Sequence, residues 1–301
     1  MVTSTGTGTF PHLIVHAHAA VGFLFDASGV AEVSAAYRRG MTLRYEEFRD
    51  LHRAGAPLLL PNAWDHASAA AFAGAGFRAV GTTSLGVAAA AGVPDGVGGT
   101  RAETVRLARS LSRLDALVSV DVEGGFDDRP EEVAALAVEL AEAGVVGVNI
   151  EDGRADGTLR DAGEQSEILR AVKEAVGERL FVNARTDTYW LPGAPVAETE
   201  ARLAAYCRAG ADGLFMPGLR DTAAIAAVAA AFDAPLNILH TPGGPSLDAL
   251  AAAGVRRVSC GSLLFRAALG AAVAAAEAVA GGLPLSGDIP SYAQTQALVD
   301  S

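Results

Sequence analysis

Cysteine is scarce in this chain. Two stand in 301 residues, Cys207 and Cys260, and neither falls in a CxxC spacing. That excludes a disulfide framework and a zinc knuckle, and makes a reducing cytoplasm the expected setting. Positive charge is also in short supply: 23 Lys and Arg against 35 Asp and Glu leave a formal net charge of −12. A general nucleic-acid surface needs a basic excess, so nucleic acid is not an expected partner. A local field can oppose the net charge, so an anionic small molecule stays open. No long apolar run is uninterrupted. The Ala-rich stretch 263–283 contains Arg266 and Glu277, and 13–25 contains His16 and His18 with no Lys or Arg before it. Neither a membrane partner nor the charged start of a signal peptide is expected.

The chain does have hydrophobic mass. Such residues make up 50% of it, enough for a sizeable core in one large domain or two small ones. Residues 1–40 alternate Thr and Gly at 3–9 and then show no clear period. They are expected to form a dispensable or poorly ordered extension. Met41 opens a helical pattern that includes Tyr45, Phe48 and His52, and the functional domain is expected over 41–285, with 286–301 a tail.

From Leu58 onward, short apolar runs alternate with longer Ala/Leu/Glu/Arg segments. The runs at 58–61, 79–83, 117–122, 145–150, 180–184, 213–216, 236–239 and 257–260 read as strands. The segments 65–75, 101–113, 130–143, 162–176, 196–209, 221–231, 246–253 and 262–281 read as helices. Pro130 suits a first helical turn. Ala-Gly pairs at 75–76, 143–144, 209–210 and 253–254 suit helix stops. The repeated unit predicts an α/β fold, a (β/α)₈ TIM-type barrel with a C-terminal helical extension. An open doubly wound sheet is the alternative; it usually carries GxGxxG after its first strand, and Pro61-Asn62-Ala63-Trp64-Asp65 is not that motif.

Acidic groups recur at the ends of these strands: Asp121 and Glu123, then Glu151 and Asp152, then Asp187 with Arg185. Carboxylates grouped on one barrel face suit a hard divalent cation, Mg²⁺ or Mn²⁺ in its place. The plainer alternative is a set of helix caps, which Asp supplies well.

Taken in order, Pro61-Asn62-Ala63-Trp64-Asp65, Thr82-Thr83-Ser84-Leu85-Gly86, Val93-Pro94-Asp95-Gly96, Ser119-Val120-Asp121-Val122-Glu123, Asn149-Ile150-Glu151-Asp152 and Asn183-Ala184-Arg185-Thr186-Asp187 resemble the phosphoenolpyruvate mutase/isocitrate lyase superfamily. The resemblance covers roughly 43–275. It implies a (β/α)₈ barrel, Mg²⁺, a small 2-oxo or 2-hydroxy carboxylate substrate and a homo-oligomer, dimer or tetramer, with exchanged C-terminal helices. By position, Asp121 would be the direct metal ligand, with Glu123 and Glu151 holding metal-bound waters. The amides of Ser84, Leu85 and Gly86 would bind the substrate carboxylate, Asp95 would sit near the metal, and Arg185 would fork onto a carboxylate or the C2 oxygen. Ser84, Asp95 and Arg185 are the candidate catalytic residues.

Two departures matter. The lyases of this superfamily carry a Lys-x-Cys-Gly-His loop after the fourth strand, whereas 153–161 here has neither Cys nor His. They also end the sixth strand in Phe-Pro-Glu, whereas this chain reads Phe215-Met216-Pro217-Gly218. The leading expectation is C–C bond cleavage of a lyase or oxaloacetate-hydrolase type through an enolate-like species. P–C bond chemistry comes second. A phosphate-binding metabolic barrel, using His240–Ser246 and Cys260-Gly261-Ser262, and a non-catalytic acid-binding barrel are the rivals. Asn237 is a candidate for substrate binding or for a structural role. The loop 153–161 is expected either to gate the site through Arg154, Asp156, Arg160 and Asp161 or to be a solvated turn.

Overall fold

Pro61 splits the first barrel strand and decides how the sheet is read. The computed structural model describes residues 27–285 and 287–299. In it, Leu58–Leu60 (β1) and Asn62–Ala63 (β2) flank this proline. β1 pairs in parallel with Arg257–Ser259 (β9), and β2 with Ala79–Thr82 (β3). Proline brings no N–H to a ladder, but the Pro61 carbonyl still accepts from the Gly81 amide at 2.8 Å. The sheet then runs in sequence order through Leu117–Asp121 (β4), Gly147–Glu151 (β5), Phe181–Arg185 (β6), Gly213–Met216 (β7) and Leu236–Leu239 (β8). Because β1 and β2 are halves of one strand, the segments close into an eight-stranded parallel barrel. The expected TIM-type fold is borne out and the open sheet is excluded.

Two compact units divide the chain, Met1–Gly40 and Met41–Ser301. Residues 1–26, where disorder was expected, lie outside the described residues. Helix α1 spans Ala27–Leu51, so helix begins well before the pattern that opens at Met41. Ala, Glu and Arg between 31 and 39 are strong helix formers and need no apolar period to extend a helix. The other outer helices are His66–Gly74 (α2), Ser84–Ala91 (α3), Arg101–Leu111 (α4), Pro130–Glu142 (α5), Ala162–Val176 (α6), Thr199–Arg208 (α7), Thr222–Ala231 (α8), Leu247–Ala252 (α9) and Leu263–Ala280 (α10). Pro130 stands in the first turn of α5. The glycines of the four Ala-Gly pairs all have positive φ, as helix stops require. Within the expected tail, Ser286, Asp300 and Ser301 lie outside the described residues. Tyr292–Ala297 forms a short helix, α11, started by a Ser291/Gln294 capping box.

The main core lies between sheet and helices. Val118, Val120, Val148, Ile150 and Val182 meet Leu136, Leu140, Ile168, Leu169 and Leu203 there. A second cluster, with Tyr45 and Phe48 of α1 packed on Leu60, Ala79, Leu117, Val146 and Phe181, plugs the N-terminal mouth of the barrel. Phe48 meets Phe181 edge-on at 5.5 Å, and His52 stacks on Phe181 at 4.5 Å. Burial lowers the His52 pKa to about 3, so the ring is neutral. Asp212 ties this plug down, accepting from Tyr45 Oη at 2.8 Å, Lys173 Nζ at 2.6 Å and the Val182 amide at 2.8 Å.

Helix α10 is largely exposed. Only Phe265 among its residues is buried, while Leu269 and Val273 are 52% and 59% exposed. By length and composition alone it could cross a membrane, although Arg266 and Glu277 lie within it.

Candidate active site

The C-terminal ends of the strands open into a cavity of about 330 Å³. Parallel strands deliver their last residues to one face, so β4, β5 and β6 bring Asp121, Glu151 and Arg185 together there. Glu151 and Arg185 are register partners on adjacent strands. Arg185 Nη1 lies 2.6 Å from Glu151 Oε2, while Nε and Nη2 reach Asp187 Oδ1 and Oδ2 at 2.6 and 3.1 Å. The guanidinium also lies over the Phe215 ring, 5.6 Å from its centroid. A guanidinium has five N–H groups, so two remain for a substrate.

Burial makes these charges costly. It pushes Asp121 up to about 6; Asp95 and Glu123 add to this, and Arg185 opposes it. Burial likewise pushes Glu151 up to about 8, with Asp121, Asp187 and Glu123 adding and Arg185 opposing. Burial also raises Asp187. For Arg185, burial works against the charge, but Glu151, Asp187 and Asp121 together outweigh it and raise the pKa. The floor is therefore a desolvated acidic cluster held around one arginine.

Helix α3 supplies the opposite wall. Ser84 and Leu85, in its first turn, line the cavity, and amides of a first helical turn have no partner within the helix. Gly86 does not line the cavity. It lets the turn form: a Cβ there would lie 2.8 Å from Thr83 Cγ2 and from Trp64 Cβ. Asp95 and Gly96 line the same space, and Asp95 has no hydrogen bond or ion pair among the described residues.

Other expected site residues fall elsewhere. Asn237 is buried in the barrel interior, 3.4 Å from Ser259 Oγ, and does not line the cavity. Glu123 is also buried and outside the lining; its oxygens accept from the Gly98 amide at 2.9 Å and Thr100 Oγ1 at 3.0 Å. In the loop 153–161, Asp156 accepts from Thr158 and Asp161 caps α6. Arg160 is buried, bonded to Gly124 O, Gln165 and Asp128. The start of the loop is a tight turn, closed by the Arg154 amide donating to the Thr158 carbonyl and the Gly157 amide donating to the Arg154 carbonyl. Arg154 alone among the four expected gate residues lines the cavity; it pairs with Glu164 at 3.1 Å. None of 240–246 lines it, and Ser246 is the cap of α9.

Asp187 and Asp152, expected only as members of the acidic group, and Arg257, not expected at all, also contribute. Asp187 sits two residues past Arg185, and that spacing is the signal that could have assigned it a role. Asp152, fully buried, accepts from Thr186 Oγ1, the Asp187 amide, Tyr206 Oη and Arg202, and so braces the Arg185–Asp187 pair from behind. Arg257 is buried inside the barrel, its Nη2 3.3 Å from Asn149 Oδ1 and 3.5 Å from Ser119 Oγ. Burial pulls its pKa down to about 9, against the attraction of Asp121. No sequence pattern marks a single arginine inside an apolar strand.

The sequence pattern of phosphoenolpyruvate phosphomutase matches residues 48–280. An uncharacterised Mycobacterium tuberculosis protein is 44% identical over 255 residues, covering 84% of this chain and 96% of its own length. A Pseudomonas entomophila oxaloacetate decarboxylase is 34% identical over 241 residues, covering 74% and 80%. A solved Burkholderia cenocepacia structure, provisionally assigned as a phosphonomutase, is 40% identical with a TM-score of 0.74, covering 78% of this chain and 99% of that one. On its barrel, its ordered strand-end motifs and this match over most of its length, the chain belongs to the phosphoenolpyruvate phosphomutase family of the phosphoenolpyruvate mutase/isocitrate lyase superfamily.

Proposed function

We propose that this protein cleaves a C–C bond in a small 2-oxo carboxylate with the help of Mg²⁺, and that the reaction is the decarboxylation of a 2-oxo dicarboxylate such as oxaloacetate. The observation that carries the reading is one cavity holding Asp121, Glu151 and Arg185 on its floor and the first turn of α3 on its wall.

Among the described residues, no three His, Cys, Asp or Glu side chains converge on a point that could hold an ion. Two desolvated carboxylates, Asp121 and Glu151, do face the cavity. That donor set fits Mg²⁺, which is usually held by one or two carboxylates with water and substrate oxygens completing its coordination. Bound there, the cation would stabilise negative charge developing at the substrate C2 oxygen.

The protein's own groups do the rest. The α3 amides at Ser84 and Leu85 hold the C1 carboxylate. The two free N–H groups of Arg185 face the C2 oxygen, where the electron pair of the breaking C3–C4 bond accumulates. The C4 carboxylate leaves as CO₂. No His, Cys or Lys lines the cavity. The chain's one lysine, Lys173, pairs with Asp212 outside the lining, so imine chemistry has no residue to use. Asp95 is left to relay a proton from solvent to C3. One free carboxylate suits decarboxylation, which needs a single proton delivered to carbon. A retro-aldol cleavage needs a base for the hydroxyl as well as an acid for the carbon. The oxaloacetate decarboxylase similarity supports the same choice.

The test is an activity screen with Mg²⁺ over oxaloacetate, methylisocitrate, dimethylmalate, phosphonopyruvate and phosphoenolpyruvate. CO₂ release from oxaloacetate is expected, falling roughly 100-fold or more in Asp121→Ala, a control that also subtracts decarboxylation by the free ion. Turnover of methylisocitrate or phosphonopyruvate alone would replace the decarboxylase reading. No turnover at all would leave an acid-binding barrel. We also propose that the exposed apolar face of α10 is covered by a second copy of the chain in a homo-oligomer.

A further inference from the structure

Glu123 is a strand-end acid whose side chain stays out of the cavity lining. It adopts a left-handed backbone, φ 51°, which is uncommon outside glycine and is costly enough to need a reason. Its backbone belongs to the floor: its amide donates to Asp121 Oδ1 at 3.2 Å, and its carbonyl accepts from the Glu151 amide at 2.9 Å. From that fixed point the buried carboxylate reaches the Gly98 amide and the Thr100 hydroxyl.

The loop at 92–100 has little else to hold it. Gly92, Gly96 and Gly98 all have positive φ, and most of the loop is exposed, with Val97 at 51%. Among the described residues, no backbone–backbone hydrogen bond is made from 94 to 99; the ladder resumes where the Thr100 carbonyl accepts from Thr104. Yet this loop brings Asp95 and Gly96 to the cavity. A carboxylate accepting from an amide and a hydroxyl makes charge-assisted bonds, stronger than neutral ones. Burial raises the Glu123 pKa and these two bonds oppose the rise. An aspartate at this position would fall short by one carbon–carbon bond, about 1.5 Å, too far to keep both contacts.

We propose that Glu123 is a latch: it holds the 92–100 loop against the barrel so that Asp95 stays at the cavity, and it takes no part in holding the cation. The proposal rests on the reading of the cavity as the active site. Glu123 acts through the loop and is a positioning residue, and Asp121 shares its anchor, so floor and loop are coupled through one residue.

The test compares wild type, Glu123→Asp and Thr100→Val, each as the full chain. Amide hydrogen exchange is followed in the 92–100 segment, and Mg²⁺ alone is titrated calorimetrically. Glu123→Asp should speed exchange of that segment about tenfold or more. It should not bring the roughly 10–100-fold loss of Mg²⁺ affinity expected when a metal-supporting group is removed. Thr100→Val leaves the carboxylate in place and removes one contact from the loop side; it should speed the same segment by a smaller factor. For the substrate that wild type turns over, Thr100→Val should lower kcat, because Asp95 then spends less time at the cavity. Unchanged exchange in both variants overturns the latch. So does a tenfold loss of Mg²⁺ affinity in Glu123→Asp without faster loop exchange, or a kcat in Thr100→Val that stays at the wild-type value while its loop exchanges faster. Exchange needs no substrate, so a failed activity screen leaves this test standing.

Discussion

At the residue scale, the floor of the cavity stores a conflict that pH exposes. Asp121 and Glu151 are pushed up to about 6 and about 8, chiefly by burial. A carboxyl raised in this way holds its proton more tightly folded than unfolded. Its contribution to stability is full below its ordinary range and is lost as pH rises through the raised value. The metal-free protein should therefore lose melting temperature as pH climbs from about 5 to about 8. Mg²⁺ at saturating concentration should flatten that loss, since a ligand at 100 times its Kd adds about 2.7 kcal/mol. Asp121→Asn and Glu151→Gln should each raise the metal-free melting temperature at pH 8 and remove the response to Mg²⁺. A metal-free melting temperature that stays flat or rises across this window would sink the account. These acids were legible in the sequence because strand ends of a parallel barrel share one face. The partition of labour among them was not. Nothing in Asp121-Val122-Glu123 says that Glu123 turns left-handed towards the loop, or that Asp187 takes two nitrogens of Arg185, since both depend on how three strands stagger.

At the scale of elements, the eight strands and the outer helices were readable because apolar runs and Ala-Gly stops are local signals. Helix α3 was hidden: Ser84–Ala91 reads as a binding loop, and only the structure shows that its amides belong to a helix N-terminus. The split of the first strand was also hidden, because it depends on what pairs with each side of Pro61. Asn62 repairs that seam. Its Oδ1 accepts from the amides of Cys260 and Gly261 at 2.8 and 2.9 Å, and its Nδ2 donates to the Thr82 carbonyl at 2.7 Å. One side chain thus bonds three backbone groups, two just past the end of β9 and one at the end of β3. Asn62→Leu takes this partner from the Gly261 amide and the Thr82 carbonyl, while the Cys260 amide keeps the Leu60 carbonyl at 3.3 Å, and should cost about 1–3 kcal/mol in denaturant unfolding. Asn237→Leu removes one long contact, to Ser259, and should cost less than half as much. Equal losses would mean that Asn62 merely fills space in the barrel.

At the scale of the whole molecule, the face of α10 is the largest departure from a self-sufficient barrel. Leu269 and Val273, one helical turn apart, are more than half exposed, and Val279, Leu283 and Leu285 are exposed at 66%, 64% and 48%. A soluble monomer rarely leaves this many large apolar side chains of one segment uncovered. Two occupants are physically open to such a helix, a bilayer and another copy of the chain. Arg266 lies near the start of the helix and Glu277 near its end, and a charged residue in the hydrocarbon region is expensive. The alanines that dominate α10 let two helices approach closely and contribute little side-chain entropy to the cost of packing. A second copy is therefore the better match. A stable interface buries about 1,200–2,000 Å² in total, more than one helix face supplies, so α10 should carry the residues after it, including Leu283 and Leu285, into the contact. Sedimentation velocity should show a dimer or tetramer at micromolar concentration. Leu269→Glu with Val273→Glu should shift it to monomer, because it places carboxylates where apolar side chains would be buried. Flotation of the wild type with phosphatidylcholine vesicles, together with a monomer in their absence, would assign α10 to the membrane instead.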